Sequence, residues 1–326
     1  MAFVRTVLGD VDPGALGITY AHEHLVIDKG RAVELYPDFD LSDVATMATE
    51  VRAAAALGLR TAVDAMPCDT GRNVGKLAEL SRLTAVNIVA PTGLHHERFY
   101  PPSHWRHRID VDDLADLFVA DIVDGIDELD YSGPVVRRTE HRAGVIKIAG
   151  SDGGPSETDR PAFDAAAIAH TRTGVPILTH CENGTGALEQ VALLTAAEVE
   201  PRHIVLSHVD KVVDRGYHRD VLATGAFVEY DGSFRWGDKP NGTLQLLEWM
   251  AADGLLDQVL LGMDAARQGY YHVYGGEPGL TWLLDGFSAL MAERGLGPEI
   301  RDGLFVLNPA RAFAFAVAEI DGGDGG

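Results

Sequence analysis

The sequence predicts an α/β protein, a single-domain (β/α)8 TIM barrel, and three observations lead there. Eight short β-rich runs are spread along the 326 residues. Amphipathic helical stretches separate them, the alternation that builds a parallel sheet with helices on its outside. No glycine-rich phosphate turn follows the first run, which lowers the competing open, doubly wound sheet. Barrels of strand–helix units reach this length as one domain.

In chain order, the first strand is "GITYAHEHL" (17–25), where side chains change face at each residue, so His22 and His24 point the same way. The helical pattern "DVATMATEVRAAAALG" (43–58) leads to "RTAVDAMP" (60–67), and "NIVAPTGL" (87–94) is the third strand. A second helix, "DLADLFVADIVDGIDEL" (113–129), precedes "GVIKIAG" (144–150). There the alternation turns Ile146 and Ile148 outward and Lys147 inward with Val145 and Ala149. After the helix "FDAAAIAHTRTG" (163–174) come "VPILTHC" (175–181), "HIVLSHV" (203–209), "AFVEYDG" (226–232) and "QVLLGMD" (258–264). A helix over 280–295 follows the eighth strand. The barrel is assigned residues 1–320, and "DGGDGG" (321–326) reads as a flexible tail.

Composition narrows the function. The chain is 46% hydrophobic and 23% charged, an ordinary globular balance. Its net charge of −22 disfavours nucleic acid and anionic membranes as partners. No apolar run approaches the roughly 18 residues of a membrane span, and the N-terminus lacks a signal-peptide pattern. Cys68 and Cys181 cannot make a disulfide framework. A cytoplasmic enzyme is the expectation.

In such barrels the active site lies at the C-terminal strand ends. Strand 1 ends on His22 and His24, strand 5 on His180, strand 6 on His208 and strand 8 on Asp264. One histidine at a strand end is usually a surface or hydrogen-bonded residue. Four on the inward parity of three strands are much harder to obtain by chance. Lys147 is the sharpest anomaly, because an ammonium inside an apolar strand is costly. Either it snorkels to the mouth or pairs with an acid, or it is a neutral amine able to take up carbon dioxide. The carbamate so formed would be an anionic, bidentate oxygen ligand. Six such groups exceed the needs of one catalytic zinc but suit two divalent ions about 3.5–4 Å apart. Imidazole and carboxylate ligands accept Zn2+, Mn2+ or Co2+.

The series "AHEHL", "IKIAG", "LTHCE", "LSHVD", "GMD" and "NPARAF" resembles the phosphotriesterase-like branch of the amidohydrolase superfamily, over nearly the whole chain. The resemblance implies His22, His24 and Asp264 on the more buried metal and His180 and His208 on the more exposed one. Carboxylated Lys147 and a hydroxide would bridge the two, with Asp264 as general base. It also implies a homodimer.

This branch includes organophosphate triesterases, acyl-homoserine lactonases and lactonases of phosphorylated sugars, which differ in the loops after strands 3, 7 and 8. The loop "MDAARQGYYHVYGG" carries Arg267 and Tyr270 at +3 and +6 from Asp264, and "YDGSFRWGDKPNG" carries Arg235 and Lys239. This spacing is similar to the phosphate-recognising set of the sugar-lactonase subgroup, and assigns Lys239, Arg267 and Tyr270 to a substrate phosphate. The substrate expected is therefore a phosphorylated aldono-1,4-lactone. His95 replaces the strand-3 tyrosine of the acyl-homoserine lactonases, and Gly232 stands where an arginine is usual; both weigh against that reading. "HHERFYPPSHWRH" is either a substrate-facing loop, with His95 near the lactone, or a solvated loop packed on aromatics. Cys181, on the opposite parity to His180, reads as packing. A non-catalytic barrel and a metal-dependent amidase or deaminase are the other classes.

Overall fold

The computed structural model describes residues 2–316; the tail assigned to 321–326 lies outside them. Strands β1 (Val4–Thr6) and β2 (Gly9–Val11) form an antiparallel hairpin not anticipated from the sequence. The barrel strands are β3 (Ile18–Glu23), β4 (Leu59–Asp64), β5 (Asn87–Val89), β6 (Pro91–Gly93), β7 (Val145–Gly150), β8 (Ile177–Cys181), β9 (Ile204–Ser207), β10 (Phe227–Tyr230) and β11 (Val259–Leu261). They fall at the eight expected places, with β5 and β6 as two halves of the third. All pair in parallel: β3, β4 and β5 in one ladder, β6 through β11 in the other. The third strand breaks because Pro91 cannot donate a ladder hydrogen bond. Its first half pairs back to β4 and its second half forward to β7. The cylinder closes where Met263 and Asp264 donate backbone N–H groups to the His22 carbonyl, at 3.2 and 2.9 Å.

Eight inward side chains, Ala21, Val63, Val89, Val145, Leu178, Val205, Phe227 and Leu260, fill the lower lumen, about one per strand. The opposite faces, including Ile146 and Ile148, pack under the surrounding helices. Those helices are α1 (Arg31–Leu35), α2 (Val44–Ala56), α3 (Val74–Thr84), α4 (Val111–Val123), α5 (Arg160–Thr173), α6 (Ala187–Ala196), α7 (Arg215–Ala223), α8 (Gly242–Asp253), α9 (Gly286–Glu293), α10 (Pro298–Asp302) and α11 (Asn308–Ala312). Asp43, Asn73, Asp110, Asp214 and Asn241 cap α2, α3, α4, α7 and α8 with side-chain oxygens. Two expected helices are shorter than their patterns. α4 stops at Val123 because Gly125 takes a left-handed φ of 126° against the Thr139 carbonyl. α9 starts only at Gly286, since residues before it fold into turns whose Val273 and Leu280 N–H groups bond Glu50. Among the described residues, no helix is long and apolar enough to cross a membrane.

Candidate metal centre

Simple alternation does not describe the first strand. Tyr20 pairs with Ala62 and Glu23 with Asp64, so β3 spends one extra residue against β4. This bulge resets the face. Below it Ala21 enters the lumen while Tyr20 packs outward on Phe305 and bonds the Leu280 carbonyl. Above it His22 and His24 line a cavity at the C-terminal strand ends. Asp64 holds the turn that carries His24 by accepting from the Leu25 and Met66 N–H groups.

That cavity, of 220 Å³, is also lined by Lys147, His180, His208 and Asp264, so all six candidate ligands border one space. His24 Nε2 lies 3.1 Å and His22 Nε2 3.5 Å from Asp264 Oδ1. The His22, His24 and Asp264 donor atoms all sit within 4.8 Å of one another, the spacing a single ion requires. His208 and His180 meet edge to face with ring centroids 4.4 Å apart, and the His208 ring is 4.9 Å from that of His22. Lys147 is 2% exposed, and its Nζ donates to Ser207 Oγ at 3.3 Å. His208 and Asp264 both have positive φ, 69° and 46°. For residues with a Cβ this conformation stores strain, a feature concentrated at functional sites.

Several carboxylates around the centre were not identified from the sequence. Asp231 Oδ2 lies 2.6 Å from His208 Nδ1, and Glu229 Oε2 lies 3.3 Å from His22 Nδ1. Both are fully buried on the inward face of the strand 7 run, in "VEYD". Their signal was present: two acids on the same parity as Phe227 in an otherwise apolar run. Glu182 Oε2 meets His180 Nε2 at 2.7 Å and is itself bridged by Arg98 at 3.1 Å.

The electrostatics favour, at the imidazoles and at Asp264, the protonation states a divalent ion needs. Burial lowers the His22 and His208 imidazoles below their ordinary value and takes His180 down to about 3, so all three are neutral at pH 7. Burial also brings the Lys147 amine down to about 8, against the pull of Asp264 and Glu229. Burial alone would raise Asp264, but the hydrogen bond from His24 and the charge of Arg235 hold it well below the usual range. Asp231 is likewise held low, with His208 outweighing burial, whereas burial and neighbouring Asp231 raise Glu229. Neutral imidazoles, an ionised carboxylate and a readily deprotonated amine form a donor set that fits divalent metal.

The rim residues divide. Arg235, Arg267, Tyr270 and His95 line the same cavity, with Arg98, Lys211, Phe39, Phe99 and Met66. Arg235 donates to the Met263 and Asp264 carbonyls and lies 3.2 Å from Asp264 Oδ2, so it braces the eighth strand end. Arg267 pairs with Asp38 at 2.6 Å over the Phe39 ring. Lys239 borders an adjoining cavity that shares Arg235 and Tyr270 with the first. In loop 3, His95 packs at a tilt against Phe99 and approaches His180 with centroids 5.5 Å apart, while His104 turns away to Asp69 at 2.8 Å. Cys181 is buried in the outer layer.

A family model described as the phosphotriesterase family matches residues 2–313. A protein named phospho-furanose lactonase from Mycoplasmopsis agalactiae is 35% identical over 96% of this chain and 92% of its own. The crystal structure of an amidohydrolase from Mycoplasma synoviae superposes with a TM-score of 0.93 at 32% identity, covering 97% of this chain and 92% of that one. A lactonase from Listeria monocytogenes gives a TM-score of 0.88 at 29% identity, covering 97% of this chain and all of the other.

Proposed function

Because the chain belongs to the phosphotriesterase family, we propose that this ester-cleaving hydrolase is a binuclear metal-dependent lactonase acting on a phosphorylated sugar 1,4-lactone. One observation carries the reading. In a protein of net charge −22, a single cavity holds six candidate metal ligands together with Arg235, Arg267 and Tyr270. The likeness to phospho-furanose lactonases supports the same substrate class.

In this reading His22, His24 and Asp264 would hold one ion and His180 and His208 the other, and Lys147, if carboxylated, would supply a further oxygen ligand. Zn2+ is the first choice, with Mn2+ or Co2+ as alternatives. When bound, the metal pair lowers the pKa of a water toward neutrality and polarises a carbonyl. The chain supplies the rest. Asp264, ionised and braced by Arg235, receives the proton released as the lactone carbonyl is attacked and returns it to the ring oxygen that leaves. Asp231 and Glu182 hold the His208 and His180 rings in place by the contacts described above. Arg267 and Tyr270, with Lys239 from the adjoining loop, hold the phosphate away from the reacting carbonyl. That contact requires Arg267 to exchange or share its pairing with Asp38. His95 faces the ring of the sugar.

The test compares kcat/KM for a five-carbon phosphorylated 1,4-lactone, the same lactone without phosphate, an acyl-homoserine lactone and a dialkyl aryl phosphate. The phosphorylated lactone is expected to lead by at least two orders of magnitude. Equal values with and without phosphate overturn the anion receptor, and a lead for either of the last two compounds replaces the substrate class.

A further inference from the structure

The strand 7 acid Glu229 has no part in the site as the family resemblance describes it, yet it is fully buried directly beneath the candidate ligands. Its Oε2 lies within hydrogen-bond reach of His22 Nδ1, at 3.3 Å. The other ring nitrogen of His22 faces Asp264, at 3.5 Å. One imidazole therefore stands between two carboxylates, with its nitrogens on opposite tasks. A neutral imidazole carries a single N–H, and an acceptor at Nδ1 fixes that proton there, which leaves the Nε2 lone pair free for a cation.

Two further observations show the arrangement is built. A Cβ at Gly262, on the neighbouring strand end, would stand 2.6 Å from Glu229 Oε1 and 2.8 Å from the His22 backbone. The glycine of "GMD" thus makes room for this acid and this histidine together. Second, Glu229 Oε1 is buried with no hydrogen-bond partner. In the metal-free fold such a carboxylate is a liability, since apolar packing would serve the barrel interior better. A buried acid with one oxygen unpaired and the other turned to a candidate ligand serves the orientation of that ligand.

We propose that Glu229 is a positioning residue: it holds His22 in the Nδ1–H tautomer and so strengthens the ion shared by His22, His24 and Asp264. This rests on the metal-centre reading above. The effect is selective, because His180 and His208 have their own carboxylates in Glu182 and Asp231.

The experiment titrates metal-free wild type, Glu229→Leu and Glu229→Gln with Zn2+ against a chromophoric chelator, and follows urea unfolding of the metal-free forms. Glu229→Leu should weaken one of the two zinc equivalents about 10–100-fold and leave the other unchanged. Glu229→Gln keeps an acceptor oxygen and should restore most of that affinity. The metal-free Leu variant should unfold at the same or a higher urea concentration than wild type. Wild-type affinity for both equivalents in Glu229→Leu overturns the proposal. So does a metal-free Leu variant that is less stable or does not fold, which would mark the acid as part of the scaffold. A wild-type protein that takes up no zinc removes the metal centre itself, and this inference with it.

Discussion

Replacing Lys147 by methionine should make the metal-free protein more stable at pH 7. The side chain is buried, and its amine is brought from the usual 10.5 down to about 8, first by burial. That difference corresponds to about 3 kcal/mol of penalty on the folded ammonium form. Methionine fills nearly the same volume without charge but forfeits the bond to Ser207, which offsets about 1 kcal/mol. A net gain of about 2 kcal/mol remains. With an unfolding entropy of about 2.1 cal/mol/K per residue, it raises the melting temperature by about 3 °C. The pH dependence follows from which state holds the proton. Below pH 8 both folded and unfolded chains carry the ammonium, and the wild type bears the whole penalty. Between pH 8 and 10.5 the unfolded chain binds the proton that the folded one has released, so wild-type stability rises with pH and its deficit closes. Urea unfolding of chelator-treated protein in bicarbonate-free buffer, at pH 7 and pH 10, measures this. A Lys147→Met protein less stable than wild type at pH 7, or a gap that does not narrow at pH 10, refutes the reasoning. The same variant should take up less metal than wild type, the opposite sign of effect on the loaded enzyme.

Three further outcomes are expected. Asp264→Asn keeps the shape at the eighth strand end but loses both the proton acceptor and a charged candidate ligand, so kcat should fall by at least about 10²–10⁴-fold even at saturating metal; steady-state kinetics on the preferred lactone decides this. Arg267→Ala should cost about 2–5 kcal/mol in kcat/KM on the phosphorylated lactone and close to nothing on its unphosphorylated counterpart. Gly262→Ala forces a methyl to within 2.6 Å of Glu229 and 2.8 Å of the His22 backbone. It should destabilise the fold by about 1–3 kcal/mol in urea unfolding and weaken zinc binding in the chelator competition.

Much of this molecule was legible in the chain because the signal was local and periodic. Strand parity alone turns Lys147 into the lumen between outward-facing Ile146 and Ile148, and a hydrophobic run with a charged member announces itself without coordinates. The histidines at three strand ends were readable because a parallel barrel gathers all strand ends at one mouth, but the expected inward parity does not hold for His208: Val205 and Ser207 take the inward positions, and His208 turns in through a φ of 69°. Other features depend on contacts between distant segments. The bulge in β3 exists only relative to β4, so straight alternation would put Tyr20 on the face of His22 although the two face different layers. Glu229 and Asp231 were visible as acids on one parity, but their partners lie on the first and sixth strands, far away in sequence. Lys239 and Arg267 were legible as cations near the mouth. Whether a long, flexible side chain reaches the cavity or turns to Asp38 is set by loop packing that no spacing encodes. The sequence by itself determined the alternation of strands and helices and the inward turn of Lys147 and His180, because both follow from local periodicity, whereas His22 reaches the lumen through the β3 bulge and His208 through its left-handed φ. Only the tertiary structure decided which carboxylate meets which imidazole and which acids the rim arginines pair with, because those pairings are made between segments that the chain keeps far apart.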